Sequence, residues 1–202
     1  MRRRTFATPL TLFVLLLTAL CSGCGQEAPE APAKKEMLSQ EELGDYSLGL
    51  AVRKMRFLWT LQQDSIDIKL VAPTKGWVGI GFNPETPENM KGASFIIGYV
   101  KGGEAQAFDH FGITENKHKD DEKLDGNTDF SNLSGSEQDG RTVLEFTVPL
   151  DSGDPKDRPL NLEENIVLLA YGRSDSVVLK HRFRALLRVN LSTGEHSVLI
   201  MK

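Results

Sequence analysis

From Tyr46 onward, apolar residues recur at every second position, and no long stretch shows helical spacing. Met55, Phe57, Trp59 and Leu61 alternate with Arg56 and Thr60, and Ile66, Ile68 and Leu70 with Asp67 and Lys69. Leu144, Phe146, Val148 and Leu150 alternate with Glu145 and Thr147, and Phe183, Ala185, Leu187, Val189 and Leu191 with Arg184, Arg188 and Asn190. Neighbouring side chains on an extended chain point to opposite faces, so each run makes a strand with one face for a core and one for water. Ile166 to Tyr171 is apolar throughout and predicts a strand buried on both faces. Turn residues separate the runs, as Ser192-Thr193-Gly194 does ahead of Val198 and Ile200. About eight to eleven short strands with no helices between them predict an all-β fold, an antiparallel β-sandwich.

The first 23 residues have a different character. Arg2, Arg3 and Arg4 precede an apolar run, LTLFVLLLTAL, of signal-peptide length and too short to span a bilayer. Ser22-Gly23-Cys24 then resembles a bacterial lipobox, which implies a lipid on Cys24 as the first mature residue. Plain secretion after cleavage nearby is the alternative. Cys21 and Cys24 also spell CxxC, but Gly25 stands where haem attachment needs His, and a leader is no place for a thioredoxin motif. No other cysteine exists, so the folded domain must rely on its core. Residues 24–44, rich in Pro, Ala and Glu, predict a flexible, extended and solvated tether, leaving 45–202 for the domain. Gly25 and Gln26 follow Cys24 where an Asp would signal inner-membrane retention, so the expected location is extracytoplasmic, at the outer membrane if the cell has two.

Loss of the three leader arginines takes the formal net charge from -4 to -7. That sign excludes nucleic acid as a partner and suits solubility or a basic partner. No nucleophile elbow, phosphate loop or catalytic carboxylate pair appears, and the chain reads as a non-enzyme.

Several residues could carry chemistry. In GWVGIGF, Val78, Ile80 and Phe82 share one face, and Trp77, Gly79 and Gly81 share the other. A strand bare on one face admits something flat against its backbone, or marks a bend or a close sheet contact. Met90 sits in a polar loop just ahead of the strand Phe95 to Val100, either as a filler or as a ligand. His181 shares the parity of Phe183 and Ala185, which predicts an inward imidazole on a strand beginning by residue 180, either a hydrogen-bonded core group or a ligand. A thioether and an imidazole together suit both axial positions of a haem iron, leaving no open site. Arg182, Arg184 and Arg188 line one face, solvated or set against haem propionates, with the solvated reading preferred. Gly112 to Gly140 reads as a long polar loop. Around its start, Asp109, His110, His118 and Asp120 form a lesser candidate metal site without zinc-motif spacing, and His110 an alternative haem ligand. Asp121, Asp125 and Gly126 miss the EF-hand register.

Taken together, GWVGIGFNP, NMKGASFIIGYV, FDHFG, TVLEFTVPL, LLAYGRSD and the late His181 strand resemble a DOMON (DoH-type) domain over nearly all of the mature chain. The resemblance implies an immunoglobulin-like β-sandwich. It also implies one of two functions, a b-type haem carrier or a module that binds sugars. In haem-binding members, similar to the cytochrome domain of cellobiose dehydrogenase, a Met after the Trp-Gly strand and a late His hold the iron. Met90 and His181 occupy those places. The expectation is therefore a lipid-anchored haem b protein that relays single electrons to or from an unidentified redox protein. Trp77, Gly79, Gly81 and Phe95 would wall its pocket at one end of the sandwich. The alternatives are a non-redox module for a sugar or aromatic compound and a purely structural lipoprotein.

Overall fold

The computed structural model describes residues 38–202. The expected signal peptide, the Cys24 lipidation site and the tether through residue 37 lie outside the described residues. Twelve strands occur among those described: β1 (Leu48–Val52), β2 (Met55–Leu61), β3 (Ser65–Ala72), β4 (Val78–Phe82), β5 (Ser94–Lys101), β6 (Glu104–Thr114), β7 (Lys117–Asp120), β8 (Ser131–Gln138), β9 (Arg141–Pro149), β10 (Asn165–Tyr171), β11 (Phe183–Val189) and β12 (His196–Met201). Every pairing is antiparallel. The strands form a five-stranded sheet, β1-β2-β3-β9-β8, and a seven-stranded sheet, β12-β11-β10-β4-β5-β6-β7.

The two sheets enclose the core that the alternation predicts. Phe57, Trp59, Ile66, Ile68, Leu70, Leu144 and Phe146 meet Val78, Ile80, Val167, Leu169, Ala185 and Leu187 in one buried cluster. Trp59 is fully buried, stacks on Phe57 at 4.6 Å, and donates its Nε1–H to the Leu191 carbonyl at 2.8 Å. That bond satisfies the one polar atom such a ring brings into a core.

Three expectations need correction. The last residues of the expected tether form a one-turn helix, α1 (Gln40–Leu43), closed by a capping box between Ser39 and Glu42. Leu38 and Leu43 lie against Gly49 and Leu58 on the outer face of the five-stranded sheet, and Glu42 pairs with Arg56 at 2.6 Å. Low aromatic content suggested a solvated segment, but Leu58 needed cover and two leucines supply it. Gly112 to Gly140 is largely structured, through β7, a 3-10 turn (Asp121–Leu124) and β8. These are edge elements, and β8 is exposed on nearly both faces, so no apolar alternation marked it. Finally, β10 is not equally buried on its two sides: Val167 and Leu169 enter the core, whereas Leu168 and Ala170 leave it for the outer face of the seven-stranded sheet.

Candidate functional site

That outer face carries a second, smaller apolar cluster. Trp77, Ala93, Phe95 and Ile97 are buried there, with Met90, Leu168 and Ala170 packed against them. The register explains the grouping, since Gly79 pairs with Ile97 and with Ala170 across β4, and paired residues share a face. Val78, Ile80 and Phe82 enter the core, so Trp77 and Gly79 must face outward. The cluster floors a cavity of about 640 Å³. This lies within the range of about 300–1,000 Å³ typical of small-molecule and cofactor pockets.

Met90 and His181, 91 positions apart in the chain, both line this cavity. Met90 sits in the β4–β5 loop and is held by its backbone. Its N–H donates to the Glu115 carbonyl at 3.1 Å and its carbonyl accepts from Ala93 at 3.1 Å. Just beyond it, the Gly92 N–H donates to the Gly112 carbonyl at 2.7 Å. His181 arrives by a route other than the predicted one. β11 begins at Phe183, so His181 precedes the strand, and the parity it shares with Phe183 and Ala185 leads into the core. The loop swings it to the opposite face, and Arg182 N–H bonding to the Tyr171 carbonyl at 2.8 Å fixes the turn. Burial, reinforced by the positive charges of Arg184 and Lys180, holds the His181 imidazole below its ordinary range. Both effects favour its neutral form.

The other expected residues divide. Trp77, Gly79 and Phe95 line the cavity, but Gly81 does not. A Cβ on Gly81 would meet the Phe95 ring at 2.3 Å, so that glycine admits an aromatic side chain of the chain itself. The glycine-marked slot is thus half filled from within. The cavity opens on the sheet's outer face, not at one end of the sandwich. Arg182 and Arg184 line it together with Lys180, Arg182 remaining exposed to solvent as expected, whereas Arg188 pairs with Glu164 at 3.6 Å away from it. Two acids, Glu88 and Glu115, also reach the cavity. Val178 is 81% and Leu179 58% exposed at its rim, an unusual placement for large apolar side chains with nothing above them.

His118 was missed as a pocket residue. It lines the cavity and lies 5.9 Å, centroid to centroid, from Phe95, whereas His110, the expected alternative ligand, stands behind it. Their Nδ1 atoms are 2.5 Å apart, and burial lowers both rings' affinity for protons, that of His110 to about 4. Both are neutral, and one donates to the other. No sequence spacing announces this pair, because β7 brings His118 beside β6 through a register shift after Gly112. Of the four residues of the candidate loop metal site, His110, His118 and Asp120 share the outer face and Asp109 does not. Asp109 pairs across the sheet with the core residue Ile96, His110 with the outward Phe95, and Asp120 forms an ion pair with Lys123 at 3.2 Å.

Comparison with known proteins places these features in context. The sequence model of the DOMON domain matches residues 53–172. A Drosophila melanogaster protein named MOXD1 homolog 2 is 34% identical over 100 residues, 50% of this chain and 13% of that protein. The human DBH-like monooxygenase protein 1 is 27% identical over 167 residues, 83% of this chain and 24% of its own length. The chain thus spans a quarter or less of these relatives. The crystal structure of the cytochrome b domain of pyranose dehydrogenase from Coprinopsis cinerea superposes with a TM-score of 0.52 at 10% identity, covering 70% of this chain and 78% of that one. At that identity the likeness is one of fold.

Proposed function

The chain belongs to the DOMON family, and from that premise we propose that it is an extracytoplasmic b-type haem protein relaying single electrons, with Met90 and His181 as axial ligands. One observation carries the reading: a thioether and an imidazole from distant parts of the chain line a single cavity with an apolar floor. The related fold of a cytochrome b domain supports it.

The residues present suit the group. Haem is flat and apolar with two carboxylates at one edge. Trp77, Phe95, Ile97 and Leu168 offer apolar walls, Gly79 removes a side chain from the floor, and Lys180, Arg182 and Arg184 offer cations for the carboxylates. Haem b, when bound, supplies reversible one-electron chemistry at its iron. Met90 and His181 would hold the iron from their two loops, the apolar walls would exclude water, and the thioether would raise the potential. With both ligands supplied by protein, a bound haem would leave no seat for a substrate, as a carrier requires. A lipid on Cys24 would keep it at a membrane, beside an unidentified redox protein.

Absorption spectra of protein produced with haem available test the assignment. Low-spin, six-coordinate bands are expected, and Met90→Ala and His181→Ala should each abolish them while the fold survives. His118→Ala should leave them in place. Loss of the bands in His118→Ala alone would transfer the imidazole ligand to His118. A colourless protein would favour the non-redox module for a sugar or aromatic compound.

A further inference from the structure

On the other side of β6 from the histidine pair, four aspartates from four separate segments converge. Asp109 lies on β6, Asp121 opens the 3-10 turn, Asp129 precedes β8, and Asp157 lies between β9 and β10. Single carboxylate oxygens of Asp109, Asp121 and Asp157 all lie within 4.8 Å of one another. Asp109 and Asp129 share the small cavity of about 30 Å³ that Asp157 also lines. That is room for one small ion or water.

Convergence of acids alone would mean little, but their burial and their lack of partners distinguish these. Asp121 is 1% and Asp109 5% exposed. Both Asp121 oxygens, Asp109 Oδ1 and Asp129 Oδ2 are buried without a hydrogen-bond partner. The remaining contacts are few. Asp109 Oδ2 accepts from the Asp129 N–H at 3.1 Å, and Asp157 Oδ2 accepts from the Ser152 hydroxyl at 2.7 Å. Among the described residues no Lys or Arg forms an ion pair with any of the four. Arg158, beside Asp157, also lines the small cavity, but its Nε–H bonds to the Gly92 carbonyl and its guanidinium lies 5.6 Å over the Phe111 ring. Burial above all, with repulsion from neighbouring aspartates, raises Asp109 to about 8 and Asp121 to about 7, the latter despite the nearby charge of Lys156. Buried polar groups are ordinarily satisfied, and buried charges are paired or coordinate a metal. Three carboxylates from unrelated segments lie within 4.8 Å of one another, a fourth, Asp129, stands beside Asp109, and four of their oxygens are buried without a hydrogen-bond partner, an arrangement that a cation resolves.

We propose that Asp109, Asp121, Asp129 and Asp157 bind one Ca²⁺ ion, which ties β6, the 3-10 turn, the entry to β8 and the β9–β10 loop together. The donor set decides the metal. It is all oxygen, which disfavours zinc, whose structural sites draw chiefly on His and Cys, and the nearby His110 faces away. Ca²⁺ tolerates six to eight oxygen ligands in irregular geometry, whereas Mg²⁺ demands an octahedron and retains its waters. Neighbouring carbonyls and waters complete the shell. The set differs from the His110-His118 grouping suggested by the sequence and shares only Asp109 with it. The inference is independent of haem.

The full chain, stripped with a chelator, is titrated with CaCl₂ by calorimetry and followed by thermal unfolding, with MgCl₂ in parallel. One Ca²⁺ per chain is expected, raising Tm by about 5–10 °C at a free concentration a hundredfold above Kd. Asp121→Asn keeps the shape and removes a buried charge, so it should raise Tm in chelator and lose the calcium response; Asp157→Asn should lose the response as well. No heat and no Tm shift at millimolar Ca²⁺ overturns the proposal. So does a calcium response retained in both variants, or a lower Tm of Asp121→Asn in chelator. An equal response to Mg²⁺ overturns the choice of ion. These readouts hold with or without haem, so their failure is separate from failure of the haem reading.

Discussion

Replacing Gly112 by Ala should damage the Met90 loop and spare the sheet. A Cβ added there would stand 1.7 Å from the Met90 carbonyl oxygen and 2.7 Å from its carbon. Real Cβ atoms essentially never come within 3.0 Å of another heavy atom, so the two backbones must part by more than 1 Å. No rotamer change relieves the clash, because both partners are main chain. Gly112 is fixed by strand pairing and by its N–H to the Ala93 carbonyl at 2.8 Å, whereas Met90 sits in a loop, so the loop moves. Overpacking of this kind costs about 1–3 kcal/mol. For a chain of this size that lowers Tm by about 2–12 °C. It also drags the thioether away from its place beside Trp77 and Phe95. Two assays apply to the same sample: thermal unfolding by circular dichroism, and the absorption spectrum with haem present. The expected outcome is a lowered Tm together with loss of the low-spin bands and retention of the β signal. An unchanged Tm would refute the steric reasoning. A lowered Tm with unchanged bands would refute the link from Gly112 to the Met90 sulfur.

Two further outcomes rest on single residues. Trp59→Phe removes the Nε1–H bond to Leu191 and part of the ring from a site with no exposure, and should cost about 1–3 kcal/mol in urea unfolding; a change below about 0.5 kcal/mol would contradict that role. Burial, then the charges of Glu145 and Asp67, raise the Tyr46 phenol to about 12, above the value near 10 of an unfolded chain. Because the folded state holds its proton longer, this stability is complete below about pH 10 and is lost as pH rises toward 12, by on the order of 1 kcal/mol at pH 11. Tyr46→Phe should lack that decline when urea midpoints at pH 9 and pH 11 are compared; parallel declines would exclude Tyr46 as its source.

The signal for α1 was present in the sequence and went unread: Ser39 followed by Glu42 is a capping box, and Leu38 and Leu43 flank it. The signal for the pocket was present and half read. The apolar run Ile166 to Tyr171 does mark two apolar environments, but the second is a cavity wall, not another layer of core. Parity misplaced His181 because alternation holds only within a strand, and the strand starts two residues later. Gly81 was assigned to a ligand because a missing side chain does not say what fills its place, and here Phe95 does.

The sequence by itself determined the all-β sandwich, the composition of its core and the choice of Met90 and His181 as a pair worth testing. Period-two alternation is a local property, and so is the chemistry of a thioether or an imidazole. Only the tertiary structure decided that both residues line one cavity on the outer face of the seven-stranded sheet, that His118 rather than His110 lines it with them, and that aspartates from separate segments crowd together with buried oxygens lacking hydrogen-bond partners. Such convergences depend on strand order, register shifts and the paths of loops, which follow from how the whole chain packs and leave no spacing along it to read.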